Sequence, residues 1–385
     1  MKIYFKNLDG IRFIAALLVI LHHAQFFKSH FKVDAFSFLN EAFVSTGRIG
    51  VNLFFVLSGF LISYLLLSEQ AQTGTINFKH FYVRRILRIW PLYLAYGIGL
   101  TLIAPFMFKV LHLPATTDWM VIGTNLFFLL LFAVNIQLAF FPYNNGIVEI
   151  TWSVCIEEQF YLLWPLLLIF FRKRLKTLFI ILISMGFISK LFCVIVPLYY
   201  NVSTTHLLET SYLLLFDKLE LFGTGMLAAY VLFHREAYTN FLRRGFSKPL
   251  QWLMLVIMVL VAFSVLKIPV VSKYYFDHFI HAALFGYLML AAVSENSILN
   301  LELPVFKTLG KISYGIYMFH TPICQLLMMG FQRIFGAQKS ILVYELLYPV
   351  ACVVLTCIIA YFSYEWYEKR FLSMKQKYAL VKTRI

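Results

Sequence analysis

Two arginine-bearing stretches and one histidine carry most of the chemistry this sequence can do. Arg12 stands at the start of the apolar run Leu8 to Phe27, and His23 follows eleven residues later with only one polar neighbour, His22. On a helix rising 1.5 Å per residue, His23 lies about 16 Å along the axis from Arg12. The second stretch, Phe81-Tyr-Val-Arg84-Arg85-Ile-Leu-Arg88, places Arg85 and Arg88 three residues apart. That spacing puts them on one helical face. Two guanidinium forks on one face suit a phosphate or pyrophosphate, which they grip bidentately. Such a cluster also serves as a topology signal or a lipid contact, but Arg12 at the same membrane face, below a histidine, favours a cytoplasmic anion site leading to a buried titratable group. An imidazole at depth is a functional candidate by default, because ionisable groups inside a bilayer are expensive.

The elements that position these groups must be membrane helices. The 385 residues are 61% hydrophobic and only 13% charged, with 41 Phe and a mean hydropathy of +0.79. That excludes a soluble globular domain with an ordinary surface. Apolar runs of about 20 residues require helices, since lipid offers the backbone no hydrogen-bond partner. The expected class is therefore all-α, a polytopic helical membrane protein. Candidate spans are 8–27, 48–67, 86–107, 150–171, 176–196, 211–233, 250–267, 276–294, 312–331 and 341–364, and one further apolar stretch lies at 119–138.

That extra stretch sets the topology. With it held out as a re-entrant or interfacial segment, ten spans place most Lys and Arg on the inner side. Counting it as an eleventh span reverses the bias. The positive-inside rule thus favours ten spans with both termini cytoplasmic. The segment follows Pro114, holds Asn125 and Asn135, and runs into the polar stretch 142–146, so its backbone needs cover at depth. A single domain over 1–385 is expected, ending in a basic cytoplasmic tail at 365–385, with no signal peptide and no appended soluble domain.

The excess of 33 Lys and Arg over 18 Asp and Glu fits inner loops and anionic lipid rather than nucleic acid. Cys155, Cys193, Cys324, Cys352 and Cys357 show no metal-ligand spacing and no disulfide pattern, so no metal is expected. They read as small apolar packing residues.

Several motifs in order along the chain resemble the membrane-bound acyltransferase 3 family. They are Leu8-Asp-Gly-Ile-Arg12-Phe-Ile-Ala-Ala-Leu with His23-Ala24, then Gly50-Val-Asn52-Leu-Phe-Phe-Val-Leu-Ser58-Gly, and the arginine cluster. Thr151-Trp152-Ser153-Val-Cys-Ile-Glu157-Glu158-Gln159-Phe160-Tyr161, Phe216-Asp-Lys218-Leu-Glu220 with Gly223 and Gly225, and Ser313-Tyr314-Gly-Ile-Tyr317-Met-Phe-His320-Thr-Pro322 complete the set. The resemblance covers nearly the whole chain. It implies an integral enzyme of the inner (plasma) membrane that moves an acyl group, usually acetyl, from cytoplasmic acyl-CoA to a hydroxyl of an envelope glycan or other acceptor.

Carried over residue by residue, the resemblance assigns the Arg-ten-residues-His motif to Arg12 and His23 and the Arg-x-x-Arg motif to Arg85 and Arg88. The glutamate of the Trp-Ser-x-x-x-Glu motif falls on Glu157. Asn52 stands where many members carry Asp, His22 stands where Tyr is common, and the extracytoplasmic hydrolase-like domain fused to some members is not present in this sequence. On this basis acetyl-CoA, or another acyl-CoA, is held by Arg12, Arg85 and Arg88. His23 is the base or the acyl carrier, two routes the residues leave open. Glu157 is either catalytic in an acceptor pocket with Trp152 and Tyr161 or the charge partner of Lys218. Lys218 and Glu220, two apart, cannot face each other on a helix, so a partner from another helix is expected. Asn52 and His320 are further candidates for the acceptor side, with packing and structural hydrogen bonding as their plainer roles. A glycan or lipid transporter without acyl transfer is the competing function. Such a transporter often shows two related halves with broken helices, and no such halves are visible.

Overall fold

The structure, a computed structural model, describes residues 2–33, 42–43, 45–110, 118–141, 148–200, 202–266, 276–336, 340–378 and 382–383. The polar stretch 142–146, expected to need cover at depth, lies outside the described residues. The helices in chain order begin with α1 (Leu8–His30), α2 (Thr46–Thr73), α3 (Phe78–Val110), α4 (Trp119–Leu130), α5 (Val134–Phe140) and α6 (Trp152–Phe170). After these come α7 (Leu175–Tyr199), α8 (Thr204–Tyr212), α9 (Leu219–Phe233), α10 (Thr239–Gly245) and α11 (Lys248–Ala262). The last are α12 (Asp277–Val293), α13 (Pro304–Lys311), α14 (Ser313–Phe335), α15 (Tyr348–Ser363) and α16 (Lys369–Lys375). Among the described residues the only strands are Lys2–Ile3 and Lys382–Thr383, which pair in parallel and bring the two ends of the chain together.

Among the described residues, six helical segments are long and apolar enough to cross a membrane: Leu8–His30, Thr46–Thr73, Phe78–Met107, Glu149–Phe170, Leu175–Tyr199 and Ile341–Lys375. The pair α10–α11, bent by 65°, makes a seventh if it counts as one span. The protein is thus a polytopic, multi-pass helical membrane protein.

The centre is formed by α1, α2, α9 and α12, with α14 and α15 against the other side of α1. Helices this apolar gain little from hydrophobic contact with one another in lipid, so they associate through close packing at small residues. Gly59 and Gly225 do this for α2 and α9. A Cβ on Gly59 would collide with the carbonyl oxygen of Phe222, and one on Gly225 with that of Val56, so the two backbones touch.

The 119–138 stretch forms two short helices. Asp118 caps α4, accepting from the Met120 amide at 2.8 Å, and the chain turns at Phe132, whose φ is 52°. At about 18 Å, α4 is shorter than a hydrocarbon core of about 30 Å. Its polar residues face protein: Gln137 Nε2 donates to Asn125 Oδ1 at 2.6 Å, and Gln159 Nε2 donates to Asn135 Oδ1 at 2.8 Å.

One expected span is not continuous. The 211–233 stretch is interrupted by the turn Leu215–Lys218 between α8 and α9. The cause is a buried charge network. Lys190 Nζ donates to Glu220 Oε1 at 2.7 Å and pairs with Asp217 Oδ1 at 3.1 Å, while Lys218 Nζ donates to Asp217 Oδ2 at 2.9 Å. The turn lets the adjacent residues Asp217 and Lys218 pair, with Lys218 over the Tyr212 ring at 3.5 Å. Lys218 therefore bonds its chain neighbour, not Glu157 and not a carboxylate from another helix.

Candidate functional site

A cavity of about 190 Å³ opens among α1, α2, α3, α6, α14 and the C-terminal segment. Arg12, Arg85 and Arg88 all line it, together with Asp9, Ser58, Ser153, Glu157, Tyr161, Lys311, Tyr314, Tyr317, Glu368 and Lys375. The three arginines singled out in the sequence therefore meet in space, two from α3 and one from α1.

Their neighbours differ in a way that spacing alone does not reveal. Arg84 is committed to the fold, because its Nη2 donates to Glu69 Oε2 at 3.0 Å and its Nη1 to the Tyr378 carbonyl at 2.7 Å. Arg12 Nη1 donates to Asp9 Oδ1 at 2.6 Å. Arg85 has aromatic neighbours instead, Tyr161 at 5.5 Å and Phe81 at 5.8 Å, and its buried Nε has no partner among the described residues. Among the described residues Arg88 makes no hydrogen bond or ion pair. Guanidinium groups without carboxylate partners, at the wall of a cavity, are equipped to take an anion.

Glu157 shares this cavity. Ser58 Oγ donates to its Oε1 at 3.1 Å and Tyr161 OH to its Oε2 at 2.7 Å. The sequence offered Glu157 two roles, one in an acceptor pocket with Trp152 and Tyr161 and the other as the charge partner of Lys218. The structure joins it to Tyr161 and the arginines, while Trp152 packs away against Phe55 and Tyr212 at ring distances of 6.5 and 5.2 Å. Asn52, also expected near the acceptor, is fully buried and lies 3.1 Å from His281 Nδ1. It does not line the cavity.

His23 does not line the cavity either. The lining on α1 ends at Arg12, and on α14 it ends at Tyr317. Tyr317 is the link between the two regions. Its OH contacts Ser153 Oγ at 2.6 Å inside the cavity, and its ring lies 5.5 Å from that of His320. His320 in turn faces His23, with ring centroids 4.7 Å apart and His320 Nε2 3.2 Å from His23 Nδ1.

Hydrogen bonding assigns the protons on this pair. His320 Nδ1 bonds the Tyr317 carbonyl, which only accepts, so Nδ1 carries the hydrogen and Nε2 offers a lone pair. Thr321 Oγ1, 3.1 Å away, and His23 Nδ1 both face that lone pair. His23 Nδ1 also faces the Val19 carbonyl at 3.0 Å, so it too is a donor. The lone pair of a neutral His23 is then on Nε2, which makes no hydrogen bond among the described residues.

Sequence reasoning found the arginines, Glu157, Tyr161, His23 and His320, and it quoted Ser58, Ser153, Tyr314 and Tyr317 as parts of motifs without assigning them to the site. It passed over Lys311, Glu368 and Lys375. The last two belong to what read as a plain basic tail but is α16 and the turn before it, folded against the cavity.

A family model described as an acyltransferase domain matches residues 5–365. The chain belongs to the acyltransferase 3 family. It is 28% identical over 356 residues to the peptidoglycan O-acetyltransferase OatA of Listeria monocytogenes, covering 84% of this chain and 50% of that protein. It is 33% identical over 201 residues to the O-acetyltransferase OatA of Staphylococcus aureus, covering 48% of this chain and 29% of that one. The chain therefore spans about half or less of these curated relatives. No solved structure matches it.

Proposed function

We propose that this chain is a membrane O-acyltransferase that moves an acyl group, acetyl in the first instance, from cytoplasmic acyl-CoA to a hydroxyl of an envelope glycan. The observation that carries the reading is the cavity that Arg85 and Arg88, neither paired with a carboxylate among the described residues, line together with Arg12. In this reading the phosphates of acyl-CoA lie against the guanidinium groups, and the pantetheine arm runs past Tyr317 toward the histidine pair. The name of the Listeria relative makes peptidoglycan the first acceptor to test.

Ten spans with both ends inside belong to the same reading. The pairing of Lys2–Ile3 with Lys382–Thr383 supports it, because chain ends that meet lie on one side and require an even number of crossings.

The reaction needs a base at the acceptor hydroxyl and an outlet for the thiolate. His23 Nε2 accepts the hydroxyl proton as the oxygen attacks the thioester carbonyl. The carbon–sulfur bond breaks, and the CoA thiolate leaves with that proton. The alternative route, in which Nε2 itself takes the acyl group before passing it on, uses the same lone pair. An acyl-protein adduct trapped without acceptor would identify it.

The test is mass spectrometry of envelope glycans from cells carrying the wild-type chain or His23→Ala. The expected result is an acetyl mass increment that depends on His23, with both proteins inserted in the membrane at equal levels. Full acetylation by the variant would end the assignment of His23, and no increment with the wild-type chain would end the reading itself.

A further inference from the structure

The arginine cavity carries more positive charge than its own carboxylates balance. Five basic side chains line it (Arg12, Arg85, Arg88, Lys311 and Lys375) against three acidic ones, Asp9, Glu157 and Glu368. Those acids already have partners: Asp9 accepts from Arg12, Glu157 from Ser58 and Tyr161, and Glu368 Oε1 from Ser363 Oγ at 3.1 Å.

Lys375 is the anomaly. It is 8% exposed, makes no hydrogen bond or ion pair among the described residues, and sits in the repulsive field of Arg12, Arg84, Arg85 and Arg88. A buried ammonium without a counter-charge is costly, and placing it among guanidinium groups adds to the cost. Folding alone does not favour that position; an anion between the cations does.

The segment that carries Lys375 is tied down on both sides of it. Tyr367 OH donates to the Pro91 carbonyl at 3.1 Å, Arg84 Nη1 donates to the Tyr378 carbonyl, and the Tyr378 ring lies 5.7 Å from His80. Lys382–Thr383 then pairs with the N-terminal strand. The docked segment itself lies beyond residue 365, where the family match ends.

We infer that Lys375 is a phosphate ligand of this cavity, and that the docked C-terminal segment forms one wall of the site rather than a free tail. The inference rests on reading the cavity as the place where the donor's phosphates bind. An anionic lipid headgroup offers the same phosphate chemistry, so the test separates the two sources.

The full chain, purified in detergent without added lipid, is titrated with CoA. Lys375→Ala is expected to weaken binding about tenfold or more, the effect of losing one charge-assisted contact, while Lys375→Arg retains most of it. Lys369→Ala, at an exposed residue paired with Glu365, leaves it unchanged. A second readout does not depend on comparing affinities. Without ligand, Lys375→Ala melts at or above the wild-type temperature, because it removes an uncompensated charge, and CoA raises its melting temperature less.

Equal CoA affinity in Lys375→Ala and the wild type overturns the inference and leaves the donor reading standing. If the wild type ignores CoA but binds nanodiscs containing phosphatidylglycerol in a Lys375-dependent way, the phosphate site survives and the donor reading falls. Binding to neither probe ends both.

Discussion

Replacing Lys190 by Met removes one side of the charge network that interrupts the 211–233 stretch, and the consequence can be worked from its partners. Lys190 is fully buried and bonds Glu220 Oε1 at 2.7 Å, Asp217 Oδ1 at 3.1 Å and the Asp217 carbonyl at 3.1 Å. Asp217 keeps Lys218 at 2.9 Å and His278 at 3.4 Å, but Glu220 loses the one ammonium group that bonds it among the described residues, keeping the His278 ring nitrogen at 3.5 Å from Oε1, and its Oε2 has no partner there. Methionine fills a similar volume, so packing changes little and the charge imbalance remains. Breaking a buried ion pair by deleting one partner costs roughly 3–5 kcal/mol, more than a hundredfold in the folded population. Uncharged hydrogen bonds between membrane helices average only about 0.6 kcal/mol, because the unfolded chain also finds partners in lipid. A dehydrated carboxylate has no such substitute.

The double variant Lys190→Met, Glu220→Gln decides the matter. It removes both charges and leaves the Asp217–Lys218 pair intact, so it should regain more than half of what the single variant loses. The assay is unfolding in mixed micelles with increasing SDS, followed by circular dichroism. A single variant within about 1 kcal/mol of wild type, or a double variant less stable than the single, would refute the view that these charges balance one another.

Three further outcomes are expected. Arg88→Ala should raise the CoA dissociation constant roughly 10- to 150-fold, from the loss of about 1.5–3 kcal/mol of charge-assisted bonding, with protein yield unchanged; an unaltered constant would remove Arg88 from the site. Gly225→Ala puts a methyl group against the Val56 carbonyl and 2.7 Å from the Phe60 amide nitrogen. Backbone cannot rotate away, so α2 and α9 must separate, and a loss of about 1–3 kcal/mol in the same SDS titration is expected. Glu302 reports on pH. Burial acts to raise its carboxyl, but the Asn7 amide, Tyr4 OH and Lys307 outweigh this and hold it below the ordinary value of 4.5. A group depressed in the folded state contributes stability above its unfolded value and loses it as pH falls through the folded one. Melting temperatures measured downward from pH 6 should therefore drop below about pH 4.5 in the wild type and less steeply in Glu302→Gln. Parallel curves would show that Glu302 does not anchor the N-terminal segment.

How much of this was legible in the sequence depended on the range of the interaction. The helical class followed from unbroken apolar runs, and the shared face of Arg85 and Arg88 followed from a spacing of three within one helix. Both are local properties. The turn at Leu215–Lys218 was not legible, because Asp217, Lys218 and Glu220 look like isolated polar residues in an apolar run until Lys190, nearly thirty residues earlier, is brought beside them. The site divides in the same way. Spacing placed Arg12 below His23 on one helix, but it did not show that His320, almost three hundred residues away, meets His23 and fixes which nitrogen keeps its lone pair.

The three arginines of the cluster make the point most directly. Spacing set Arg85 and Arg88 apart from Arg84 by their shared face, and the structure gives the reason in contacts: Glu69 and the Tyr378 carbonyl occupy Arg84 and leave the other two facing the cavity. A residue's charge and helical face can be read from its neighbours in the chain, whereas its availability for a ligand depends on which distant groups have already claimed it. The unclaimed cations are therefore the ones to test, and Lys375 belongs with Arg85 and Arg88 in that respect, although no spacing rule connects it to them.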